Sequence, residues 1–331
     1  MKSIHAAITA IDYYVPEKVL TNKDLENMVE TSDAWIKKRT GIIQRRIIGD
    51  DQTTSDLIVN AARKAMAKRN LRGEDLDLIL VATITPDRKL PATASYVQHK
   101  LKATNAVAFD IAAACSGFIY GLQLANSLIR HGLYRKVLLV GAEVLSNITD
   151  WTDRTTCVLF GDGAGAAIIE PIAADREGII STQLYTDGSR AHVLTVPGGG
   201  TYKPYNEHSI RDKDIYVFMD GPAVFEFAVG ALEDMSRGVI DKSPYEMADV
   251  DWFVPHQANT RIIKSAAKRM GAPMDKFYMN IQRYGNTSSA SIPICLAEMH
   301  ASNLLAPGQL VCLSAFGAGL TAGGALLRWI I

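Results

Sequence analysis

The sequence predicts a layered α/β protein made of two similar halves. Short apolar runs, read as strands, alternate with longer segments of helical period. The same succession of segments occurs twice at a constant offset. In both copies a strand ends in a cluster of small residues before a helix begins, the kind of corner where open α/β sheets place their sites.

In the first half, "DLIVNAARKAMAKRNL" (Asp56–Leu71) puts Leu57, Ile58, Ala61, Ala62 and Ala65 on one helical face. "EDLDLILVAT" (Glu74–Thr83) is a strand, and "VAFDIAAACSGF" (Val107–Phe118) is a strand, a corner and the start of a helix. That helix, "GFIYGLQLANSLIRHG", is apolar nearly all round and ends at His131-Gly132. Such a helix is expected between two sheets or at a subunit interface. "KVLLVGA" (Lys136–Ala142) and "GDGAGAAIIE" close the half with a strand, a small-residue hairpin and an apolar run.

In the second half, "ADVDWFVPHQ" (Ala248–Gln257) aligns with the Glu74 strand so that Asp251 falls on Asp77, an offset of 174 residues. "LVCLSAF" (Leu310–Phe316) falls on "KVLLVGA" at the same offset. Between them "FYMNIQRYGNTSSAS" supplies a strand, a corner and a helix, and "GAGLTAGGALLRWI" ends the chain. The halves are taken as residues 1–173 and 174–331.

Composition narrows the function classes. Lys+Arg and Asp+Glu are equal at 35 each, so bulk charge favours neither nucleic acid nor an anionic membrane. The start, "MKSIHAAITAIDYYVP", lacks the apolar core of a signal peptide, and no run of apolar residues is long enough to span a bilayer. The four cysteines, Cys115, Cys157, Cys295 and Cys312, lie far apart with no C-x-x-C pair. That spacing fits a reducing cytoplasm and argues against a disulfide framework or a zinc site.

Three residues at corners could carry chemistry. Cys115 follows a strand and opens a helix, where unpaired N–H groups and the helix dipole are expected to lower its pKa. A buried structural cysteine is the alternative. His256, in "WFVPHQAN", follows a strand; a core histidine is its alternative reading. Asn286, in "RYGNTSSAS", taken alone reads as a helix cap. The internal repeat makes the Cys115 and Asn286 corners counterparts, which a pseudo-twofold axis would bring face to face with His256 nearby.

At these residues the chain resembles a known family. "DIAAACSGF", "VPHQAN", "GNTSSAS" and "AFGAGLTAGGALL", with "WIKKRTGI" and "TDRTTCVLFGDGAGA", resemble β-ketoacyl-acyl-carrier-protein synthase III, in order, from Asp12 to Ile331. The resemblance implies a thiolase fold with αβαβα layers, a homodimer and the first condensation of type II fatty-acid synthesis. An acyl-CoA primer would acylate Cys115 and then condense with malonyl-acyl carrier protein, with loss of CO₂. Acyl-CoA is then a substrate, and neither cofactor nor metal is required. Thiolases carry a second cysteine in the C-terminal glycine-rich motif, which "SAFGAGLTAGG" lacks. Elongating ketosynthases use Cys-His-His, and plant-type polyketide synthases have longer chains. A related condensing enzyme of secondary metabolism with another acceptor, and a non-catalytic carrier-binding subunit, are the other readings.

The resemblance also implies roles. Cys115, His256 and Asn286 form the catalytic set, and the N–H groups of Cys115 and Ala318 form the oxyanion hole. Trp35, Arg39, Arg154, Gly221 and Asn259 contact CoA. Leu90, Leu145 and Phe316 shape the acyl pocket. Arg261, Lys264, Lys268 and Arg269 dock the acidic carrier protein. Departures from the family pattern are Pro222, where an asparagine is frequent, Glu226, where a basic residue is frequent, and Ala318 in place of a glycine. At Ala318 a left-handed backbone would impose strain. Leu90 in place of a phenylalanine points to a wider primer pocket.

Overall fold

The computed structural model describes residues 5–173 and 175–331. Met1–Ile4, at the start of the N-terminal stretch, and Ala174, at the expected boundary between halves, lie outside the described residues.

In the first half β1 (His5–Tyr14) leads to a pair of short strands, β2 (Val19–Thr21) and β3 (Gln44–Arg46), which bracket α1 (Asn22–Glu26) and α2 (Asp33–Thr40). Then come α3 (Thr54–Ala67), β4 (Leu78–Ala82), α4 (Thr93–Lys100), β5 (Val107–Ile111), α5 (Gly117–Arg130), β6 (Val137–Glu143) and β7 (Gly163–Ile172). The second half holds β8 (Ile179–Thr186), the short β9 (Leu194–Thr195) and β10 (Phe218–Met219), and α6 (Gly221–Ile240). It continues with β11 (Trp252–Pro255), α7 (Thr260–Met270), α8 (Ile281–Tyr284), α9 (Ser291–Ala301), β12 (Leu310–Gly317) and β13 (Thr321–Arg328).

Two main sheets result, ordered β1-β7-β6-β4-β5 and β11-β12-β13-β8. β4 pairs in parallel with β5 and β6, as β11 does with β12. β7 and β13 then return antiparallel to β6 and β12. The apolar helix α5 and its counterpart α9 lie between the sheets. Phe118, Ile119 and Leu122 of α5 share one core with Leu78, Leu80 and Leu139 of the first sheet, Leu313 and Ala325 of the second, and Ile292 and Leu296 of α9. Each such fully buried large side chain stabilises the fold by about 1.5–3 kcal/mol. The outer face of the first sheet is covered by α3, with Leu57, Ile58, Ala61, Ala62 and Ala65 all buried as the periodicity predicts, and by α4. The outer face of the second is covered by α6 and α7. The layers are αβαβα.

The offset of 174 holds in three dimensions. One-turn 3₁₀ helices at Gly73–Asp75 and Ala114–Ser116 recur at Met247–Asp249 and Ser288–Ala290. The paired aspartates have one job in both halves. Asp77 Oδ2 accepts from the Lys136 N–H at 2.9 Å, and Asp251 Oδ2 from the Leu310 N–H at 2.7 Å, each tying the starts of two neighbouring strands. One expectation fails. The segment beginning at Phe277 forms no strand; it makes a single bridge, Phe253 to Phe277. Asn280 turns inward instead, its Nδ2 donating to Glu298 at 2.6 Å and its N–H to Gln257 Oε1 at 3.1 Å, so the chain leaves the sheet. No helix among the described residues is long and apolar enough to cross a membrane.

Candidate active site

Cys115 sits in the 3₁₀ turn Ala114–Ser116 that joins β5 to α5. Ala114 has φ +46°, which makes the turn sharp. The end of β12 presses on it: a Cβ at Gly317 would lie 2.7 Å from the Cys115 nitrogen, so a side chain there would have to force the turn aside. The nucleophile candidate is thus lodged where the first half's corner meets a strand end of the second. The N–H groups of Cys115 and Ala318 have no backbone acceptor among the described residues. Ala318 does not have a positive φ, so alanine replaces glycine there without the expected strain.

The expected lowering of the thiol pKa is overturned. Burial pushes Cys115 up to about 12; a hydrogen bond with Ser288 opposes the shift, and the nearby Glu143 carboxylate adds to it. A charge in a low-dielectric site beside another anion costs more than one helix start returns.

His256 is buried directly after β11, its own N–H donating to Ser314 O at 2.8 Å. Its Nδ1 is 2.7 Å from Ser291 Oγ, the first residue of α9. Ser291 Oγ also accepts from the Gln257 N–H at 3.4 Å, and its own hydroxyl proton is available to Nδ1. Nε2, the other ring nitrogen, is buried without a partner among the described residues. Burial lowers the His256 pKa to about 3, which keeps the ring neutral. The edge of Phe316 packs against it, 5.4 Å between centroids.

Asn286 is held by its backbone, its N–H donating to Leu159 O at 2.8 Å. Its Oδ1 accepts from the Ser288 N–H at 2.8 Å, which orients the Nδ2 amide protons away from that bond. By the offset, the counterpart of Cys115 is Ser289, while Asn286 matches Ala112. Ser289 Oγ donates to Ala82 O at 2.8 Å, and the counterpart of Ala82 is His256. Phe316, which packs on His256, is followed by Gly317, which presses on the Cys115 turn, so the two corners meet at the end of β12.

Three polar residues of this centre escape the sequence reading: Glu143, Ser288 and Ser291. Glu143 gives one signal, a carboxylate ending the buried apolar strand Val137–Glu143.

The peripheral residues divide. The Arg154 guanidinium lies 5.4 Å from the Trp35 ring centroid, and Arg39 is exposed on the same helix α2 as Trp35. Ser32 and Gly41 cap α2, which packs on the start of α7, where Asn259 is the cap and Arg261 is exposed. Gly221 and Pro222 open α6 behind the cap Asp220, a position that suits proline. Arg261 lies over Phe225 and is exposed along with Lys264 and Lys268. Arg269 is tied to Glu233 at 2.7 Å, so its charge is already matched. The expected acyl pocket is not assembled within one chain. Phe316 and Leu145 are buried, but Leu90 is 85% exposed, on the loop that leaves β4 for α4. That loop is carried outward because Asp110 of β5 accepts from the Thr93 and Ala94 N–H groups and anchors the start of α4 at the sheet's edge.

The family model described as 3-oxoacyl-[acyl-carrier-protein (ACP)] synthase III matches residues 109–188, and that of the family's C-terminal part matches residues 240–329. The beta-ketoacyl-[acyl-carrier-protein] synthase III of Caldanaerobacter subterraneus is 46% identical over 328 residues, covering 99% of each chain. The crystal structure of 3-oxoacyl-[acyl-carrier-protein] synthase III from Aquifex aeolicus matches with TM-score 0.91 and 44% identity, over 98% of this chain and all of that one. The priming β-ketosynthase of the R1128 polyketide biosynthetic pathway matches with TM-score 0.91 and 32% identity, over 99% of this chain and 97% of that one.

Proposed function

The chain belongs to the 3-oxoacyl-[acyl-carrier-protein] synthase III family, acyltransferases that initiate fatty-acid synthesis, and from that premise we propose how its own residues perform the condensation. The observation that carries the reading is a cysteine, a neutral histidine with an unpartnered Nε2 and an oriented asparagine amide where corners of the two halves meet.

In the first half-reaction Cys115 sulfur attacks the thioester carbonyl of an acyl-CoA, and CoA leaves. Exchange between two thioesters is nearly balanced, which suits a thiol nucleophile. The Cys115 and Ala318 N–H groups receive the tetrahedral oxyanion; losing one such donor costs about 10²–10³ in rate. In the second half-reaction malonyl-acyl carrier protein loses CO₂ and its enolate attacks the acyl group on Cys115. His256 Nε2–H and the Asn286 amide donate to the enolate oxygen. Both are neutral, so they stabilise negative charge without delivering a proton too early. No resident cofactor enters either step.

Trp35, Arg39, Arg154, Gly221 and Asn259 lead CoA toward Cys115, and Arg261, Lys264 and Lys268 meet the acidic carrier protein. The contact between α2 and α7 makes the two surfaces continuous. A homodimer is supported by the free edge of the first sheet, where Val107 is 49% and Phe109 37% exposed on β5, close to the 85% exposed Leu90. In that arrangement Leu90 would complete the partner's acyl pocket and set primer length. Four free cysteines support a cytoplasmic setting.

The test is intact-protein mass after incubation with acetyl- through decanoyl-CoA and branched acyl-CoAs, without acceptor. One acyl adduct, absent in Cys115→Ala, is expected, and the best donor names the primer. No adduct with any acyl-CoA would overturn the reading. Turnover of the adduct by malonyl-acyl carrier protein but not by malonyl-CoA is expected; the reverse would favour a different acceptor.

A further inference from the structure

The repeat is broken at one place that borders the site. At the offset of 174, residues 281–285 are the counterparts of β5 (Val107–Ile111), yet they form the short helix α8 and Gly285. β5 is held by a parallel ladder with β4, from Leu78–Val107 to Ala82–Ile111. The second half has no such ladder among the described residues. There Phe253 bridges Phe277, and its carbonyl accepts from the Tyr278 N–H at 3.0 Å. Asn286 stands directly after this unpaired stretch, so a sheet does not fix it.

Glu298 of α9 does that work instead. Its counterpart in α5 is Leu124, an aliphatic residue packed on the central core. Glu298 is buried, and its carboxylate gathers the stretch along its length. Oε1 accepts from Tyr284 OH at 2.6 Å. Oε2 accepts from Asn280 Nδ2 at 2.6 Å, Arg283 Nη2 at 2.9 Å and Tyr278 OH at 3.3 Å. The Arg283 guanidinium offsets the buried charge. Burial and the carboxylate push both tyrosine hydroxyls up, so they stay protonated and donate. Hydrogen bonds to an ionised acceptor are roughly twice as strong as neutral ones, so this cluster can replace a strand's ladder.

Each arm of the cluster ends beside the site. Only Gly285, with φ +66°, separates Tyr284 from Asn286. Asn280 is clamped from its other side by the Cys295 thiol, which donates to Oδ1 at 3.1 Å, and its N–H donates to Gln257 Oε1 at 3.1 Å. Gln257 follows His256, and its Nε2 donates to Pro255 O at 2.8 Å and Tyr278 O at 3.3 Å. The helix that carries Glu298 begins at Ser291, whose hydroxyl lies 2.7 Å from His256 Nδ1. One helix therefore holds the histidine at its start and braces the approach to Asn286 from its interior.

We propose that Glu298 is a positioning residue that sets the spacing between the His256 ring and the Asn286 amide, in place of the strand that the second half lacks. This rests on the reading that His256 and Asn286 act together on the enolate oxygen. Glu298 itself touches neither substrate nor the reacting atoms. Cys115 and its oxyanion donors belong to the Ala114–Ser116 turn and the residue after β12, which the cluster does not include. Acylation of Cys115 is therefore independent of Glu298, and condensation depends on it. A carboxylate that served stability alone would affect both steps equally, through the fraction of folded protein.

The test follows the two half-reactions separately on the full chain. Intact mass reads formation of the acyl adduct on Cys115, with the acyl-CoA that best acylates wild type, and then its decay with malonyl-acyl carrier protein. Glu298→Gln removes the charge and one acceptor oxygen. It should slow the second step about 10²-fold, the scale expected for a misplacement of about 1 Å, and leave the first within about twofold of wild type. Tyr284→Phe removes only the Oε1 arm and should slow the second step about tenfold. It carries the test if Glu298→Gln fails to fold. Equal slowing of both steps overturns the positioning role, and so does a wild-type second step in both variants when folded. Hydrogen exchange needs no substrate and keeps the brace testable if wild type accepts no acyl-CoA, a result that overturns only the reading of Cys115. In Tyr284→Phe residues 281–286 should exchange faster while β5 is unchanged; equal protection in wild type and variant overturns the brace.

Discussion

The two turns that begin the central helices, Ala114–Ser116 and Ser288–Ala290, are counterparts in the repeat and share a backbone, down to left-handed residues at Ala114 (φ +46°) and Ser288 (φ +50°). Their surroundings differ. Beneath the first turn lies Gly317, which lets β12 touch the Cys115 nitrogen. Its counterpart beneath the second turn is Glu143, which fills that space with a carboxylate. The first turn presents a thiol, and the second presents the groups that orient Asn286 and hold charge. A duplicated scaffold guarantees that the turns face one another; the chemistry comes from the few places where the copies diverged.

The comparison breaks most sharply at the counterparts Cys115 and Ser289. Cys115→Ala should abolish acyl-enzyme formation and reduce condensation by at least about 10³-fold, whereas Ser289→Ala removes the contacts to Ala82 O and Glu143, worth about 1 kcal/mol each, and should leave acylation measurable. Mass spectrometry and thermal melting read the two effects. Equal loss of acylation would mean that both turns carry chemistry.

The packing beneath the turns gives the next effect. A Cβ at Gly141 would lie 2.2 Å from Ser289 O, whereas its counterpart Ala315 carries one. Gly141→Ala should destabilise by about 1–3 kcal/mol, read by chemical denaturation, because backbone has to move.

Stability against pH sharpens the contrast between Glu143 and Gly317. The folded carboxyl is held at about 7, above its ordinary 4.5. Between these values the unfolded chain gives up its proton while the fold retains it. The contribution of Glu143 is therefore fully present below about pH 4.5 and is lost as pH rises through about 7. Glu143→Gln should flatten that decline relative to wild type, and parallel curves would place the titration elsewhere.

A smaller effect is expected at Ser291, counterpart of Gly117. Ser291→Ala frees the His256 tautomer and should slow condensation about tenfold while Cys115 is still acylated. Slower acylation instead would assign His256 to the first step. The smallest effect belongs to the surface. Lys264→Glu with Lys268→Glu should raise KM for the carrier protein a few-fold, more at low salt, with kcat retained. Unchanged KM would move the docking surface off α7.

Much of the site is visible in the chain itself because duplication is a pattern along the sequence. Asp77 and Asp251 align at one offset, and both brace the same strand starts. Cys115 and His256 are found because each follows a strand, and Asn286 because its corner repeats the Cys115 corner, although the short helix α8 and not a strand precedes it. Ser288 and Ser291 are hidden among the small polar residues of "GNTSSAS", where nothing in the sequence tells a structural hydroxyl from one that bonds a histidine or a carboxylate. Leu90 shows the opposite failure, since one chain leaves it in solvent.

The sequence by itself determined the layered α/β architecture, the repeat and the residue types at its corners, because strand and helix periodicity and residue identity are properties of neighbours along the chain. Only the tertiary structure decided the thiol's environment, the histidine's partner Ser291 and the position of Glu143 beneath Ser288. Those depend on burial and on hydrogen bonds between residues as far apart as Glu143 and Ser288, whose electrostatics exist only once the halves are packed together.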